Sequence, residues 1–258
     1  MRENIDSNLA GGVLHLLFNS ADGLNTMDDT WFQTFESLLQ QAADNRAVRV
    51  VLLSAQGSAF CAGANFLGMR SSVLHQYFTD SPLADLIKRL VSFPKPLIAA
   101  VHGKAIGGGA TLLLHCDLVV AAADTQFRLP FTSLGTVPEF ASSHLLPRAA
   151  GTKLANELLL LGNLFDAQKA QRAGLVNEIV PAGEQLVLAQ QWATQLAALA
   201  PASVQTSKRL LHEAQHQSLS ETIASEGAAL VASFSSGEVQ EAISAFLDKR
   251  HPDFSKFY

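Results

Sequence analysis

Short apolar runs alternate with amphipathic stretches along the first two thirds of the chain. Residues 13–18 form an apolar run that stops at Asn19-Ser20-Ala21-Asp22-Gly23, and residues 48–53 form a Val/Leu-rich run that stops at Gln56-Gly57. Runs of this length bounded by turn formers predict strands. Between them Trp31, Phe35, Leu38, Leu39 and Ala42 recur at helical spacing, and Asp28 or Asp29 can accept from the free N–H groups of a first helical turn. The alternation returns with a strand over 97–101, the Gly107-Gly108-Gly109 turn, a helix over 110–115 and a strand over 118–122. After Pro181 only helical periods follow, over 186–200, 204–217, 221–233 and 239–247. The prediction is an α/β fold, with a core over residues 1–200 that carries the site and a helical segment over 201–258.

Composition narrows the function. Of the 258 residues 48% are apolar and 16% charged, enough hydrophobic surface for a sizeable core and too much for a disordered chain. The net charge is −5 and Lys and Arg are not clustered, which argues against a nucleic-acid partner and leaves room for a small anionic ligand. Cys61 and Cys116 are too few for a disulfide framework and lack metal-site spacing, so a reducing, cytoplasmic setting is expected. Arg2, Glu3 and Asp6 interrupt the start of the chain, no run reaches about 18 apolar residues, and Lys256-Phe257-Tyr258 is not the peroxisomal tripeptide. No membrane partner is expected.

Three motifs carry less than their letters suggest. His212-Glu213-Ala214-Gln215-His216 has the spacing of a zinc-protease helix. The apolar stripe Val204, Ser207, Leu211, Ala214, Ser218 leaves both histidines to one side, so no metal is expected there. Lys104 follows a glycine, but Ile98 and Ala105 break the phosphate-loop pattern. Ser142, Ser143 and His144 adjoin without a G-x-S-x-G elbow, and sequence neighbours rarely form a triad. A fourth pattern pairs Phe60-Cys61-Ala62-Gly63-Ala64 after one strand with Gly107-Gly108-Gly109 after another. Small residues at both places let a ligand approach the main chain, and two such loops can form an oxyanion hole or can simply be tight turns.

Phe60-Cys61-Ala62-Gly63-Ala64-Asn65, the stretch Lys95-Pro96-Leu97-Ile98-Ala99-Ala100-Val101-His102-Gly103 leading into the three glycines, Cys116-Asp117-Leu118, Ala173-Gly174-Leu175-Val176 and the ending Phe246-Leu247-Asp248-Lys249-Arg250 resemble the enoyl-CoA hydratase/isomerase, or crotonase, superfamily. The resemblance covers nearly the whole chain. It implies a crotonase-like spiral of ββα units with a C-terminal helical trimerisation segment, a homotrimer or hexamer, and an acyl-CoA thioester as ligand. No separate cofactor is implied, since the substrate carries the coenzyme A. By the same resemblance the thioester oxygen meets the backbone N–H groups of Ala64 and Gly108, while Ala62, Asn65 and Phe66 lie along the CoA. Asn65 stands where relatives usually carry Asp.

Hydratases of the family use two glutamates at positions that here hold Thr111 and Phe131, so neither can orient and activate water as a carboxylate does. The segment from Pro130 to Ser143 resembles instead the Δ3,Δ2-enoyl-CoA isomerase branch, of the type related to the peroxisomal enzymes. There the carboxylate after the second proline, here Glu139, is the catalytic base. Phe131, Leu134, Val137 and Phe140 are expected to form a dry pocket that lifts its pKa toward neutrality. Another acyl-CoA enzyme of the family, hydratase-like or an aromatic-degradation isomerase, and a catalytically silent acyl-CoA binder are the alternatives, with His102 and His144 as further candidate contacts. Chain-length selection is expected from the segment 69–82.

Overall fold

The computed structural model describes residues 4–65, 81–213, 216–234 and 236–253. Strands β1 (Ile5–Ala10) and β2 (Val13–Phe18) form an antiparallel hairpin, turned by Gly11 and Gly12 at φ +57° and +83°. From β2 the sheet continues in parallel through β3 (Val50–Ala55), β4 (Leu97–Val101), β6 (Leu118–Ala122) and β9 (Glu178–Val180). A second sheet joins β5 (Lys104–Ile106), β7 (Gln126–Arg128) and β8 (Phe165–Asp166) in that order. The strands predicted from residues 13–18, 97–101 and 118–122 form within those limits, and the one expected over 48–53 runs two residues later.

Helices cover both faces of the large sheet, which is why β3 and β4 are apolar almost throughout. On one face lie α1 (Asp29–Asp44) and α2 (Pro82–Ser92), the crossovers between successive parallel strands. Asp28 accepts the Trp31 N–H at 2.8 Å and starts α1; Ser81 and Pro82 start α2 in the same way. Trp31 and Phe35 pack with Phe18, the first pair edge-on at 5.2 Å between ring centres. The opposite face is covered by α7 (Gln185–Ala198), whose Ala189 and Ala193 rest on Val50, Leu52, Ile98, Ala100 and Val120.

Three expectations change. The helix expected over 110–115 begins at Gly108: α3 (Gly108–Thr111) passes into a 3₁₀ turn, Leu112–His115. Helix α2, with an apolar face of Leu83, Leu86, Ile87 and Leu90, and strand β1, of whose six residues only Ile5 is buried, form where no element was expected. Beyond α4 (Ser142–Ala150), α5 (Thr152–Asn156) and α6 (Ala167–Arg172), the C-terminal helices are α8 (Pro201–Glu213), α9 (His216–Phe234) and α10 (Gly237–Leu247). On α8 the inward face is not the stripe through Leu211. Leu210 and Leu211 are 58% and 75% exposed, while Lys208 donates to Asp117 Oδ2 at 2.7 Å and His212 Nε2 lies 3.3 Å from Asp117 Oδ1. A half-buried carboxylate at the edge of β6 draws the Lys208 cation and the His212 ring toward it, and these contacts set the rotation of the helix. Of the zinc-like motif, the side chains of Glu213 and His216 and all of Ala214 and Gln215 lie outside the described residues.

Candidate active site

Two loops meet backbone to backbone. The segment after β3 is fastened on one side to β5, with the Cys61 N–H donating to Lys104 O at 3.1 Å and the Ile106 N–H donating to Cys61 O at 2.9 Å. On its other side the Met27 N–H donates to Gly63 O and the Asn65 N–H to Met27 O, at 2.9 and 2.8 Å. That pairing brackets Ala64 and leaves its own N–H with no acceptor among the described residues. Gly107, at φ +54°, turns the second chain out of β5 into α3, and the Gly108 N–H likewise meets no acceptor among the described residues.

The glycines set how closely the loops approach. A methyl group on Gly109 would sit 2.4 Å from Cys61 O, and one on Gly63 2.8 Å from Ile106 O, so neither position admits a side chain without displacing backbone. Gly108 faces Glu139: a methyl group there would stand 3.1 Å from Glu139 Oε1.

Glu139 reaches this place through an irregular turn. The two residues after it, Phe140 and Ala141, both have φ +55°, a conformation that costs non-glycine residues of the order of 1–3 kcal/mol each. The turn is over-determined by its contacts. The Ser142 N–H donates to Glu139 O at 3.0 Å, and His115 Nε2 donates to Phe140 O at 2.8 Å. Burial, against a smaller opposing effect of that hydrogen bond, holds the His115 pKa down to about 4, so the imidazole is neutral. Burial pushes the Glu139 carboxyl up to about 7, and the charge of Glu226 adds to the shift.

A cavity of about 70 Å³ opens where these parts converge. Ala62, Ala64, Gly108, Phe131, Leu134 and Glu139 line it, so five of the seven residues singled out as binding or catalytic, together with Leu134, share one space. Asn65 is half-buried beside Ala64 and outside the lining, and Phe66 lies outside the described residues, as does all but the end of the 69–82 segment. Phe140 is buried behind Gly108 rather than facing the cavity, and Val137 packs against the core. Thr111 is fully buried with its hydroxyl donating to Gly107 O at 3.2 Å. His102 Nε2 donates to Gly57 O at 3.1 Å; neither it nor His144 lines the cavity. Sequence reasoning missed Thr136, Leu83 on α2, and Leu230 and Phe234 on α9, which close the space from distant parts of the chain. Only the apolar periodicity of α9 could have hinted at the last two.

Comparison with known proteins places this architecture. The profile of the enoyl-CoA hydratase/isomerase family matches residues 8–256. The 2,3-dehydroadipyl-CoA hydratase of Escherichia coli (strain K12) is 35% identical over 94% of each chain, and the 1,2-epoxyphenylacetyl-CoA isomerase of the same organism is 34% identical over 99% of each. Among solved structures, an enoyl-CoA hydratase/isomerase from Pseudoalteromonas atlantica T6c superposes with a TM-score of 0.92 at 34% identity, covering 98% of this chain and all of that one. OdaA from Pseudomonas aeruginosa superposes at 0.90 with 37% identity, covering 95% and 99%.

Proposed function

The chain belongs to the enoyl-CoA hydratase/isomerase family, and from that premise we propose that it is a Δ3,Δ2-enoyl-CoA isomerase in which Glu139 alone carries the proton. One observation supports this over hydration: among the described residues that line the cavity, Glu139 is the only ionisable one. The two positions at which family hydratases carry glutamates hold a buried, hydrogen-bonded Thr111 and the apolar Phe131.

The reaction needs a base, an acceptor for transient charge, and a return of the proton. The Glu139 carboxylate takes a proton from C2 of a 3-enoyl thioester, the electrons pass into a dienolate, and the same carboxyl delivers the proton to C4, leaving the C2=C3 alkene. The negative charge collects on the thioester oxygen, where the N–H groups of Ala64 and Gly108, which meet no acceptor among the described residues, receive it. A pKa near 7 lets Glu139 act as base and then as acid at little cost in either direction. Phe131 and Leu134 keep water from the dienolate. The relative named 1,2-epoxyphenylacetyl-CoA isomerase, matched over 99% of both chains, favours a second reading in which one carboxylate rearranges an aromatic-derived acyl-CoA. The exposed Leu210, Leu211, Phe246 and Leu247 support assembly of the C-terminal helices into a homotrimer or hexamer.

The test follows 3-hexenoyl-CoA isomerisation and 2-hexenoyl-CoA hydration spectroscopically on one preparation. Isomerisation is expected to dominate, and Glu139→Gln to lower it by about three powers of ten with CoA-ester binding retained. Faster hydration, near-normal turnover of the variant, or binding of 3-hexenoyl-CoA without conversion each overturns the proposal.

A further inference from the structure

We propose that Glu226, on α9, is a positioning residue for Glu139: it fastens the turn that aims the Glu139 carboxyl at the cavity and acts on that carboxyl as a second acidic group. The inference rests on the reading of Glu139 as the proton carrier.

The geometry begins with burial. Glu226 is 8% exposed, and a carboxylate so placed persists only when its oxygens are satisfied. Its Oε1 accepts the Ser143 N–H at 2.8 Å. That donor lies directly after the turn that follows Glu139, where Phe140 and Ala141 hold their left-handed conformation. The main chain there has no side-chain cap of its own at the start of α4. A remote helix therefore supplies the acceptor that the strained turn lacks, and that same helix brings Leu230 and Phe234 to the cavity. One element both covers the acyl site and holds its base.

The electrical consequence depends on what else surrounds the pair. Burial pushes the Cys61 thiol up to about 12 and holds His115 down to about 4, so both are neutral through the working range. On α4 burial and Arg148 lower the His144 pKa, which leaves it neutral above its ordinary range. Charges on the other helices packed against α9 are engaged elsewhere: Lys88 with Asp85 and Arg89 with Glu36 on α2, Arg250 with Glu241 on α10, while Glu238 on α10 lies against Gly135. Glu226 is thus, among the described residues, the acidic neighbour that acts on Glu139: burial raises its own pKa against opposing hydrogen bonds, and in its charged form like charge favours the protonated Glu139.

Glu226→Gln in the full chain separates charge from shape, because the amide oxygen still accepts the Ser143 N–H. The acid limb of kcat/KM is expected to move to lower pH by roughly half to one unit. Glu226→Ala, which also removes the acceptor, is expected to lower kcat at least about tenfold with KM within a few-fold. Infrared titration of the Glu139 carboxyl band, assigned by its loss in Glu139→Gln, reads the same shift without requiring turnover. An acid limb and a carboxyl band both unmoved in Glu226→Gln overturn the inference while leaving Glu139 as the base. Activity retained in Glu139→Gln overturns the parent reading instead.

Discussion

Replacing Glu139 by Gln is expected to stabilise the protein, and only at high pH. Burial raises the carboxyl pKa from an ordinary 4.5 to about 7, so the folded state binds a proton more tightly than the unfolded chain. Stability from this group is complete below pH 4.5 and is lost as pH rises through about 7, where the folded protein must carry a buried charge. At 1.36 kcal/mol per pKa unit the loss at pH 8.5 is about 3 kcal/mol. Gln is neutral throughout and escapes it. For a chain of this size the variant should melt about 6–10 °C above the parent at pH 8.5 and at nearly the same temperature at pH 4.5. Calorimetric or circular-dichroism melts at matched concentration measure both differences, and titrating groups not coupled to Glu139 cancel between the two proteins. A gap of the same size at both pH values, or a less stable variant at pH 8.5, would refute the reasoning that burial holds this carboxyl out of its ordinary range.

Two further expectations follow from the packing. Gly109→Ala places a methyl group 2.4 Å from Cys61 O and should cost about 2–3 kcal/mol in urea unfolding together with most of the activity, because it separates the two loops; an undisturbed melting curve would contradict that. Lys208→Met leaves the Asp117 carboxylate without its main cation and should cost about 2–4 kcal/mol, with part of the loss recovered by adding Asp117→Asn; additive losses in that double mutant would count against the pairing.

Much of the fold was legible because its signals are local. A five-residue apolar run such as 97–101 can hardly be anything but a strand sealed on both faces, and the spacing of Trp31, Phe35 and Leu39 admits one helical face. Strand β1 escaped because an edge strand needs a partner rather than a pattern, and the rotation of α8 escaped because Asp117, far back in the chain, dictates it. The site divides in the same way. Ala64, Gly108 and Glu139 carried readable motifs, yet the residues alone left the glycines equally suited to plain turns, and the family resemblance tipped the reading. Nothing near Glu226 announces a link to Ser143, 83 positions away, because only the folded chain creates it.

The helix that roofs the cavity also imposes an order in time. Ribosomes make the strands, both glycine loops and Glu139 well before α9, so the nascent chain holds an incomplete pocket with Glu139 on an unanchored turn. The cavity is closed only when that helix docks, so an interrupted polypeptide that stops short of it lacks Leu230, Phe234 and the acceptor for the Ser143 N–H.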